Sequence, residues 1–386
     1  MKFVLFYHSL VSDWNHGNAH FLRGVVTELL SLGHRVDVYE PAQSWSRAHL
    51  RAEHGEIPLR EFATRFPQLR SRLYDLQRLD LDRALDGADV VIVHEWNDPA
   101  LLRRLGGYRR RTPRSRPSGF KLLFHDTHHR LITAPEEMAR LELEDVDGVL
   151  AFGEALRQRY AQRGVRAWTW HEAADTRVFK PLPHVSKKGD LVWIGNWGDG
   201  ERAHELAEFL IEPVRALRLV ARVHGVRYPQ HALDRLARAG IDYRGWLPNF
   251  RVPETFARFS CTVHVPRAPY ARALRGIPTI RVFEALACGI PLVCAPWDDC
   301  EGLFRPGEDY LVAHDGADMR RKLRGVLHDP ELARALGGQG LRTIRARHTC
   351  AHRVDELLRI LRTLGTPATR TESVAGDARS TMESAA

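Results

Sequence analysis

Two successive series of alternating strand and helix patterns constrain the fold of this chain more than any other feature of its sequence. Each series opens on a short apolar run, KFVLFYH at residues 2–8 and LVWIG at residues 191–195. Continuous apolar runs of this length are typical of strands that are buried on both faces of a sheet. Helical patterns and further apolar runs then alternate along each half. Strands that alternate with helices favour parallel sheets, so we expect an α/β protein.

The two series divide the chain into domains. We expect an N-terminal Rossmann-like domain over residues 1–171, a linker over 172–188 and a C-terminal Rossmann-like domain over 189–350. A closing helix is expected over 351–364, and a disordered tail over 365–386, where the residues are small and polar. Ligands of open parallel sheets bind at the carboxyl ends of the strands, so the expected site is a cleft between the domains.

Composition favours a globular cytoplasmic protein. The chain has 386 residues, of which 44% are hydrophobic, and no apolar run approaches the roughly 20 residues that cross a bilayer. Its first apolar run is too short for a signal-peptide core. The five cysteines form no C-x-x-C pair, so we expect reduced thiols. The net charge of +9 favours anionic partners without choosing among nucleic acid, phosphorylated ligands and anionic membranes.

Four motifs carry a resemblance to a known family. They are GIPTIRVFEALACGIPLV at 276–293, WIGNWGDG at 193–200, HEAADTRVF at 171–179 and RHTCAHRVDELL at 347–358. Together they resemble the GT-B glycosyltransferases, in particular the spore-maturation-protein-like group of the glycosyl transferases group 1 family, over the chain up to about residue 364. The resemblance implies two Rossmann-like domains that face a central cleft. It also implies transfer of a sugar from a nucleotide-sugar donor to an acceptor hydroxyl.

The first motif predicts how the donor is held. A helix is expected over residues 281–288, and free backbone N–H groups at its start, at Thr279, Ile280 and Arg281, suit a diphosphate. A carboxylate suits a ribose diol, and in the resembling family the motif glutamate, here Glu284, binds the ribose. Taken alone, a glutamate in the first helical turn is as readily a compensation of the helix dipole. If Glu284 binds ribose, we expect Glu284→Gln to weaken nucleotide binding and to leave the ligand-free stability nearly unchanged, because no folding partner is lost.

Three further loops supply donor-binding candidates. The turn that begins at Gly195 lets a backbone approach a ligand closely, although a tight turn that packs Trp197 explains the same residues. The segment RGWLPN resembles the part of the family that reads the nucleobase, and Trp246 within it is equally a candidate core residue. The full set of predicted donor-binding residues is Gly195, Asn196, Trp197, Gly198, Arg202, Arg227, Trp246, Leu247, Arg267, Tyr270, Thr279, Ile280, Arg281 and Glu284.

Two departures from the family pattern affect these predictions. Many relatives carry an arginine about where Asn196 stands, so Arg202 and Arg227 are expected to neutralise the diphosphate instead. Many retaining members also have a glutamate eight residues before Glu284, where this chain has Gly276. The choice between a retaining and an inverting reaction therefore stays open.

Acid–base chemistry is predicted in the N-terminal domain. The run FHDTHHR ends a predicted strand, and clustered histidine and aspartate suit proton transfer at an acceptor hydroxyl, so His125, Asp126 and His128 are the predicted catalytic residues. The resemblance also implies an acceptor and diphosphate loop after the first strand. Its residues are Asn15, His16, Gly17 and Asn18.

No metal and no cofactor other than the donor is expected. His125 and His129 are four residues apart, but that spacing joins two ligands only on a helix, and the glutamate of H-E-x-x-H is missing. Members of the resembling fold bind the diphosphate with protein groups.

Seven arginines lie between residues 103 and 116. They are explained by a solvated basic loop, or by peripheral contact with an anionic membrane or a lipid-linked acceptor. No nucleic-acid partner is expected, because the chain has no helix-turn-helix, zinc-finger or RNP motif.

Two other functions remain open from the sequence. One is a nucleotide-sugar epimerase of the same fold, which needs no acceptor. The other is a non-catalytic protein that binds a nucleotide sugar.

Overall fold

The computed structural model describes residues 1–111, 119–198 and 200–365. Within these ranges the first sheet has seven parallel strands in the order β3-β2-β1-β4-β5-β6-β7. The strands are β1 Lys2–Phe6, β2 Arg35–Pro41, β3 Ser71–Tyr74, β4 Val90–His94, β5 Lys121–Asp126, β6 Gly148–Ala151 and β7 Ala167–Thr169. The helices of this half are α1 Ala19–Ser31, α2 Trp45–His54, α3 Ile57–Arg65, α4 Leu81–Ala84, α5 Pro99–Arg111, α6 Arg130–Thr133, α7 Pro135–Ala139 and α8 Glu154–Gln162.

The second sheet has six parallel strands in the same described ranges, in the order β10-β9-β8-β11-β12-β13. The strands are β8 Gly189–Ile194, β9 Ala221–His224, β10 Asp242–Tyr243, β11 Phe259–His264, β12 Leu292–Cys294 and β13 Leu311–Val312. The helices are α9 Ala203–Leu206, α10 Glu212–Leu217, α11 Gln230–Arg238, α12 Val252–Ala257, α13 Ala268–Arg272, α14 Ile280–Cys288, α15 Gly316–His328, α16 Pro330–Arg347 and α17 Cys350–Gly365. A π-helical segment, Ala207–Ile211, joins α9 to α10.

The central strand β1 shows why the N-terminal apolar run forms a strand and not a helix. Successive side chains of a strand point to opposite faces. Phe3 and Leu5 belong to the core that α1 and α17 cover, whereas Val4 and Phe6 belong to the core on the other face of the sheet. Both faces are therefore buried, and an uninterrupted apolar run is what such a position requires.

Each sheet reverses its strand order once. In the first sheet the reversal lies between β1 and β4, and in the second it lies between β8 and β11. Loops that follow the strands on either side of such a reversal diverge and leave a crevice between them. The loops after these four strands all contribute to one cavity between the sheets, which is therefore the place to look for a ligand.

The last helix returns to the N-terminal domain. α17 packs on α1, and the Trp170 indole N–H donates to the carbonyl of Arg353, on α17, over 2.8 Å. The buried Arg353 guanidinium in turn donates to the carbonyl oxygens of His171 and Glu172. The connector between the sheets is thus held to the first domain by the final helix.

Several elements differ from the sequence expectation. Strands β3, β10 and β13 and helix α15 were not predicted, and α14 begins one residue earlier than expected, so that Glu284 lies in its second turn and not in its first. The start of α16 is capped, since the Asp329 carboxylate accepts from the N–H groups of Glu331 and Leu332. No helix in the described part of the chain is both long and apolar enough to cross a membrane. Asp199, residues 112–116 of the arginine-rich segment and all but the first residue of the predicted tail lie outside the described residues.

The close approach of α1 and α17 predicts that a side chain at Gly24 is unfavourable. A Cβ at Gly24 would lie 2.9 Å from the Cβ of Asp175 and against the Cys350 side chain, so Gly24→Ala should destabilise the protein by about 1–3 kcal/mol. Gly107→Ala is the matched control, because its Cβ meets only the flexible ends of Arg110 and Arg111. That change should be neutral or should stabilise by up to ~1 kcal/mol, because alanine favours a helix. Urea unfolding of both variants measures the difference, and equal effects would contradict the packing described here.

Candidate functional site

A cavity of about 740 Å³ separates the two sheets. Its size is within the range of pockets that bind small molecules. The C-terminal wall comes from the loops after β8 and β11 and from the start of α14, and the N-terminal wall comes from the loops after β1, β4 and β5 together with α2. All the predicted donor-binding residues except Trp197, Gly198 and Glu284 line the cavity. So do the four residues of the predicted loop, Asn15, His16, Gly17 and Asn18.

Charge is distributed unequally over the cavity. All four arginines that line it, Arg202, Arg227, Arg267 and Arg281, belong to the C-terminal half. Such a cluster raises the local concentration of anions. The N-terminal wall supplies histidines, tryptophans and amides, and its described lining residues include no lysine or arginine.

Arg202 fixes the geometry of the C-terminal wall. Its guanidinium donates to the carbonyl of Val265 over 2.7 Å and to that of Asn196 over 2.6 Å, which ties the loop after β8 to the loop after β11. Burial, and then the charge of Arg267, lower the pKa of Arg202 to about 10, so the side chain stays charged at neutral pH. Its Nε has no hydrogen-bond partner among the described residues.

Glu201 lies between the two walls, and sequence reasoning missed it. Its carboxylate is 3.3 Å from Nη1 of Arg267 and 3.9 Å from Nε2 of His129, which belongs to the N-terminal domain. The carboxylate lines the cavity and is the counterion of an arginine that was predicted to bind the donor. An incoming anion therefore competes with Glu201 for Arg267.

The start of α14 is at the cavity, as predicted. Thr279, Ile280 and Arg281 line the cavity, and Thr279 Oγ1 is 3.1 Å from Nε2 of His264. The backbone N–H of Ile280 is already directed at the buried carboxyl group of Glu172. One of the three predicted diphosphate donors therefore has a partner within the protein.

Glu284 is fully buried and joins the two domains. Its Oε1 is 3.0 Å from Nδ1 of His20 on α1, and its Oε2 accepts from the Arg281 guanidinium. The backbone N–H of Asp175 donates to Nε2 of His20 over 2.8 Å, so Nδ1 carries the proton that His20 donates to Glu284. The prediction that Glu284 has no folding partner is wrong. Its contact with a ribose stays a prediction, and it is not among the residues that line the cavity.

Glu172 is a second buried carboxyl group beside Glu284. Burial, and then the charge of Glu284, raise the pKa of Glu172 well above its usual value. Its Oε1 has no hydrogen-bond partner in the part of the chain that the structure describes. Two adjacent buried carboxyl groups do not both ionise readily, so Glu172 binds its proton more tightly than an exposed glutamate does. The motif HEAADTRVF contains this residue, but the sequence alone did not single it out.

The structure separates the three predicted catalytic residues. His128 lines the cavity, whereas His125 and Asp126 are fully buried in β5 and do not. His125 lies beside the rings of Phe21 and Trp170, and burial lowers its pKa to about 3. Asp126 accepts from the Tyr160 hydroxyl over 2.5 Å, and burial raises its pKa to about 6. A direct contact with substrate is therefore open only to His128, and the catalytic role of the set stays a prediction.

The loop after β1 reaches across to the C-terminal domain. Asn15 adopts a left-handed conformation with φ 49° and accepts a hydrogen bond from the side-chain amide of Asn196. A Cβ at Gly17 would lie 3.2 Å from a methyl group of Ile280, so the loop approaches α14 closely. His16 keeps Nε2 without a partner in the described ranges, and its pKa is lowered well below the usual value, first by burial and then by the charge of His8.

Asp13 completes the contact between the domains and was not predicted. Its carboxylate accepts from the Trp246 indole over 3.1 Å, from the backbone N–H of Asn249 over 2.9 Å and from Arg23 over 3.0 Å. Trp246, expected either beside the nucleobase or in the core, lines the cavity and is held by this carboxylate.

Known proteins resemble this chain in part of its sequence and in its fold. Residues 202–359 match a family described as glycosyl transferase-like. Sucrose-phosphate synthase from Thermosynechococcus elongatus superimposes with a TM-score of 0.65 at 15% identity, over 95% of this chain and 99% of that chain. HepE of Anabaena, in complex with UDP and glucose, gives 0.64 at 14% identity over 94% of this chain and 100% of that chain. The β-glucosyltransferase of phage T4, in complex with UDP and Mn²⁺, superimposes with a TM-score of 0.58 at 13% identity, over 94% of this chain and 99% of that chain. Comparison with curated proteins finds no match.

The chain has the GT-B glycosyltransferase fold. The match to the glycosyl transferase-like family begins at Arg202 and includes the whole of α14. The fold and this match together support transfer of a sugar from a nucleotide-sugar donor. Membership of the spore-maturation-like group stays a prediction.

The side chains of this GT-B cavity offer few suitable ligands to a metal ion. The described residues contain no group of three or more histidine, cysteine, aspartate or glutamate side chains arranged to hold one. The expectation that no metal is needed stays a prediction.

Glu284→Gln should lower the free energy of unfolding of the ligand-free protein. Glutamine offers one acceptor oxygen where glutamate offers two, and its NH₂ group would face Arg281 or His20. Hydrogen bonds to charged groups contribute about 1.5–3 kcal/mol each. The control is Glu308→Gln, an exposed carboxylate beside Arg305, which should change stability by less than about 0.5 kcal/mol. Urea unfolding without nucleotide measures both, and equal stability of the two variants would contradict the role of Glu284 between the domains.

The raised pKa of Glu172 predicts a dependence of stability on pH. The folded state binds the proton more tightly than the unfolded state, so this group stabilises the protein below its unfolded pKa of about 4.3 and loses that contribution as the pH rises through its folded pKa. Glu172→Gln resembles the protonated form at every pH. The variant should therefore be more stable than the unchanged protein at pH 8, and the difference should shrink towards pH 4.5. Urea unfolding at both pH values tests this, and a difference that is constant or of opposite sign contradicts it.

Proposed function

We propose that this protein transfers a hexose from a nucleoside diphosphate sugar to an acceptor hydroxyl, without a required metal ion. The observation that carries the proposal is the division of the cavity. One wall concentrates arginines and the start of a helix, and the facing wall presents neutral imidazoles. The first suits a leaving diphosphate, and the second suits a hydroxyl that loses its proton.

The diphosphate is proposed to bind between Arg267, Arg281 and the start of α14. In the ligand-free protein these arginines pair with Glu201 and Glu284. The diphosphate carries more charge than either carboxylate and offers more acceptor oxygens, so it displaces part of this pairing. The same groups then stabilise the charge that develops as the glycosidic bond to the donor breaks. HepE of Anabaena is seen in complex with UDP-glucose, which makes uridine nucleotides the first donors to test.

Proton acceptance is proposed at His16 or His128. Both line the cavity, and each has a ring nitrogen without a partner in the described residues, Nε2 of His16 and Nδ1 of His128. Burial lowers the pKa of both well below the usual value, so both rings are neutral at pH 7 and are able to accept a proton. Base catalysis by a positioned imidazole fits an inverting reaction, which the anomeric form of the product reports.

Peripheral contact with an anionic membrane is a separate and weaker proposal. On α5, Arg109 pairs with Asp147, Arg110 with Asp145 and Arg103 with Glu142. These pairs reduce the net positive charge that this face offers to a membrane.

The donor proposal is tested by UDP binding and by UDP release from UDP-sugars in excess chelator. Arg267→Gln should weaken UDP binding about tenfold or more, since a charge-assisted contact is lost. Arg275→Gln is the control, because Arg275 is exposed, pairs with Asp298 and does not line the cavity. Its UDP affinity should be unchanged.

Three outcomes would count against this proposal. Binding that is lost in chelator and restored by Mn²⁺ would contradict metal independence. Equal UDP affinity of the two arginine variants would contradict the position of the diphosphate. Isomerised sugar formed without any acceptor would favour an epimerase.

A further inference from the structure

Three tryptophans form a continuous surface on the N-terminal side of the cavity. Trp14 follows β1, Trp45 opens α2 after β2, and Trp96 follows β4. The ring centroids of Trp45 lie 6.2 Å from those of Trp14 and 6.1 Å from those of Trp96, in edge-to-face arrangements. All three line the cavity, and we call them the tryptophan wall. Three separate loops, each at the carboxyl end of a strand, therefore bring an indole to one place.

Two of the three indoles of the tryptophan wall differ from the core tryptophans of this chain, whereas Trp14 is 4% exposed and belongs to a small core cluster. Trp170 is 1% exposed and donates its indole N–H to a carbonyl, as a buried indole usually does. Trp45 and Trp96 are only partly buried, and neither indole N–H donates a hydrogen bond within the described residues. Partly exposed indoles beside a cavity are more useful to a ligand than to the core.

Neighbouring side chains hold the wall rigidly. The His8 ring lies 4.6 Å from that of Trp45, and the Arg130 guanidinium lies over Trp96 at 4.7 Å. Trp14 is stacked on His49 and donates to Glu53 over 2.8 Å. Neither His8 nor Arg130 lines the cavity, so these two residues support the wall from behind. A surface that is ordered before binding loses little conformational entropy when a ligand arrives.

The chemistry around the wall indicates an uncharged ligand with hydroxyl groups. The described lining residues of the N-terminal half include no lysine or arginine, and the carboxylate of Asp13 is already bonded to Arg23, Trp246 and Asn249. Among the described residues that line this side, the buried ring nitrogens without a hydrogen-bond partner are Nε2 of His16, Nδ1 of His128 and Nε2 of His129. The ring centroid of His128 lies 5.1 Å from that of Trp96. Neutral imidazoles exchange hydrogen bonds with hydroxyl groups.

We propose that the tryptophan wall binds a neutral sugar ring, so that the acceptor of this enzyme is a carbohydrate. The C–H groups of a sugar ring carry partial positive charge and pack on the negative face of an indole. The ring hydroxyls then meet His16 and His128, one of which takes the proton of the reacting hydroxyl. A planar aromatic alcohol would stack on the wall but would leave an imidazole nitrogen without a partner. A phosphorylated or acidic acceptor would find no lysine or arginine among the described lining residues of this wall, because Arg130 lies behind Trp96 and does not line the cavity.

This inference rests on the proposed function, and the test measures the acceptor side separately. Calorimetric titration in the presence of UDP uses four kinds of probe. The neutral saccharides are methyl glucosides and disaccharides, and the other three probes are glucose 6-phosphate, p-nitrophenol and octanol. We expect binding of at least one neutral saccharide in preference to the other probes. Trp45→Ala and Trp96→Ala should each weaken that binding about tenfold or more, and the corresponding phenylalanine variants should weaken it less.

The control is Trp168→Ala. Trp168 is partly buried in β7, packs against Arg166 at 4.9 Å and does not line the cavity, so its loss should leave saccharide affinity unchanged. Melting curves and UDP affinity, measured on the same samples, show whether each variant is folded and whether the donor side is intact. If the unchanged protein does not bind UDP, that result overturns the proposed function and not this inference.

The inference is overturned by any of three results. Saccharide affinity that is unchanged in both alanine variants would place the sugar elsewhere. Preference for p-nitrophenol, octanol or the sugar phosphate would assign the wall to another acceptor. Absence of binding by every saccharide in the panel would remove the wall as a sugar site.

Discussion

The position of His20 determines how the two halves of the molecule meet. Its ring donates to Glu284 of the C-terminal domain, accepts from the backbone N–H of Asp175 in the connector, and stacks on Phe179 at 3.9 Å. One side chain of α1 thus sets the position of α14, and α14 carries the residues that close the cavity. The tight contact of α1 with α17 at Gly24, one helical turn beyond His20, also holds this helix. The width of the cavity follows from these contacts and not from either sheet alone.

Charge within the cavity follows from the same arrangement. Arg281 and Glu284 share a helix with the cavity-facing N-terminus, so a fixed anion lies just behind the cations that are proposed to bind the donor. The raised pKa of Glu172 favours its neutral form, which limits the negative charge at this place, because a second ionised carboxyl group would oppose an incoming diphosphate. The opposite wall is aromatic, and its described lining residues include no lysine or arginine. The two sides that are proposed for donor and acceptor therefore differ in charge.

Much of the fold was predictable from sequence, because it depends on local patterns. The strand in the first apolar run and the end of the predicted helix at residue 288 were both confirmed. Strands β10 and β13 have two residues each and carry no periodic signal that separates them from loops. The π-helical segment before α10 interrupts a helix whose sequence pattern is continuous.

The candidate site was predictable only in part, for physical reasons that individual residues show. The sequence grouped His125, Asp126 and His128, but β5 continues through Asp126, so the first two side chains lie within the sheet layers and only His128 reaches the cavity. His20, Asp13 and Glu201 act on residues that are distant along the chain, and a single sequence does not show such pairs. Among the tryptophans, Trp246 had been singled out, whereas Trp45 and Trp96 become candidates only when three loops are brought together. A Gly-rich loop or an apolar helix is recognisable in one stretch of sequence, whereas a surface that several separate loops form is not.

The central claim is that the C-terminal wall binds the nucleoside diphosphate and leaves the N-terminal wall to the acceptor. A crystal structure of the protein with UDP tests this most directly. The account predicts that the diphosphate oxygens lie within hydrogen-bond distance of Arg267, Arg281 and the backbone N–H groups at the start of α14, with the tryptophan wall free. A diphosphate that lies against Trp45 and Trp96, or outside the cavity, would contradict it.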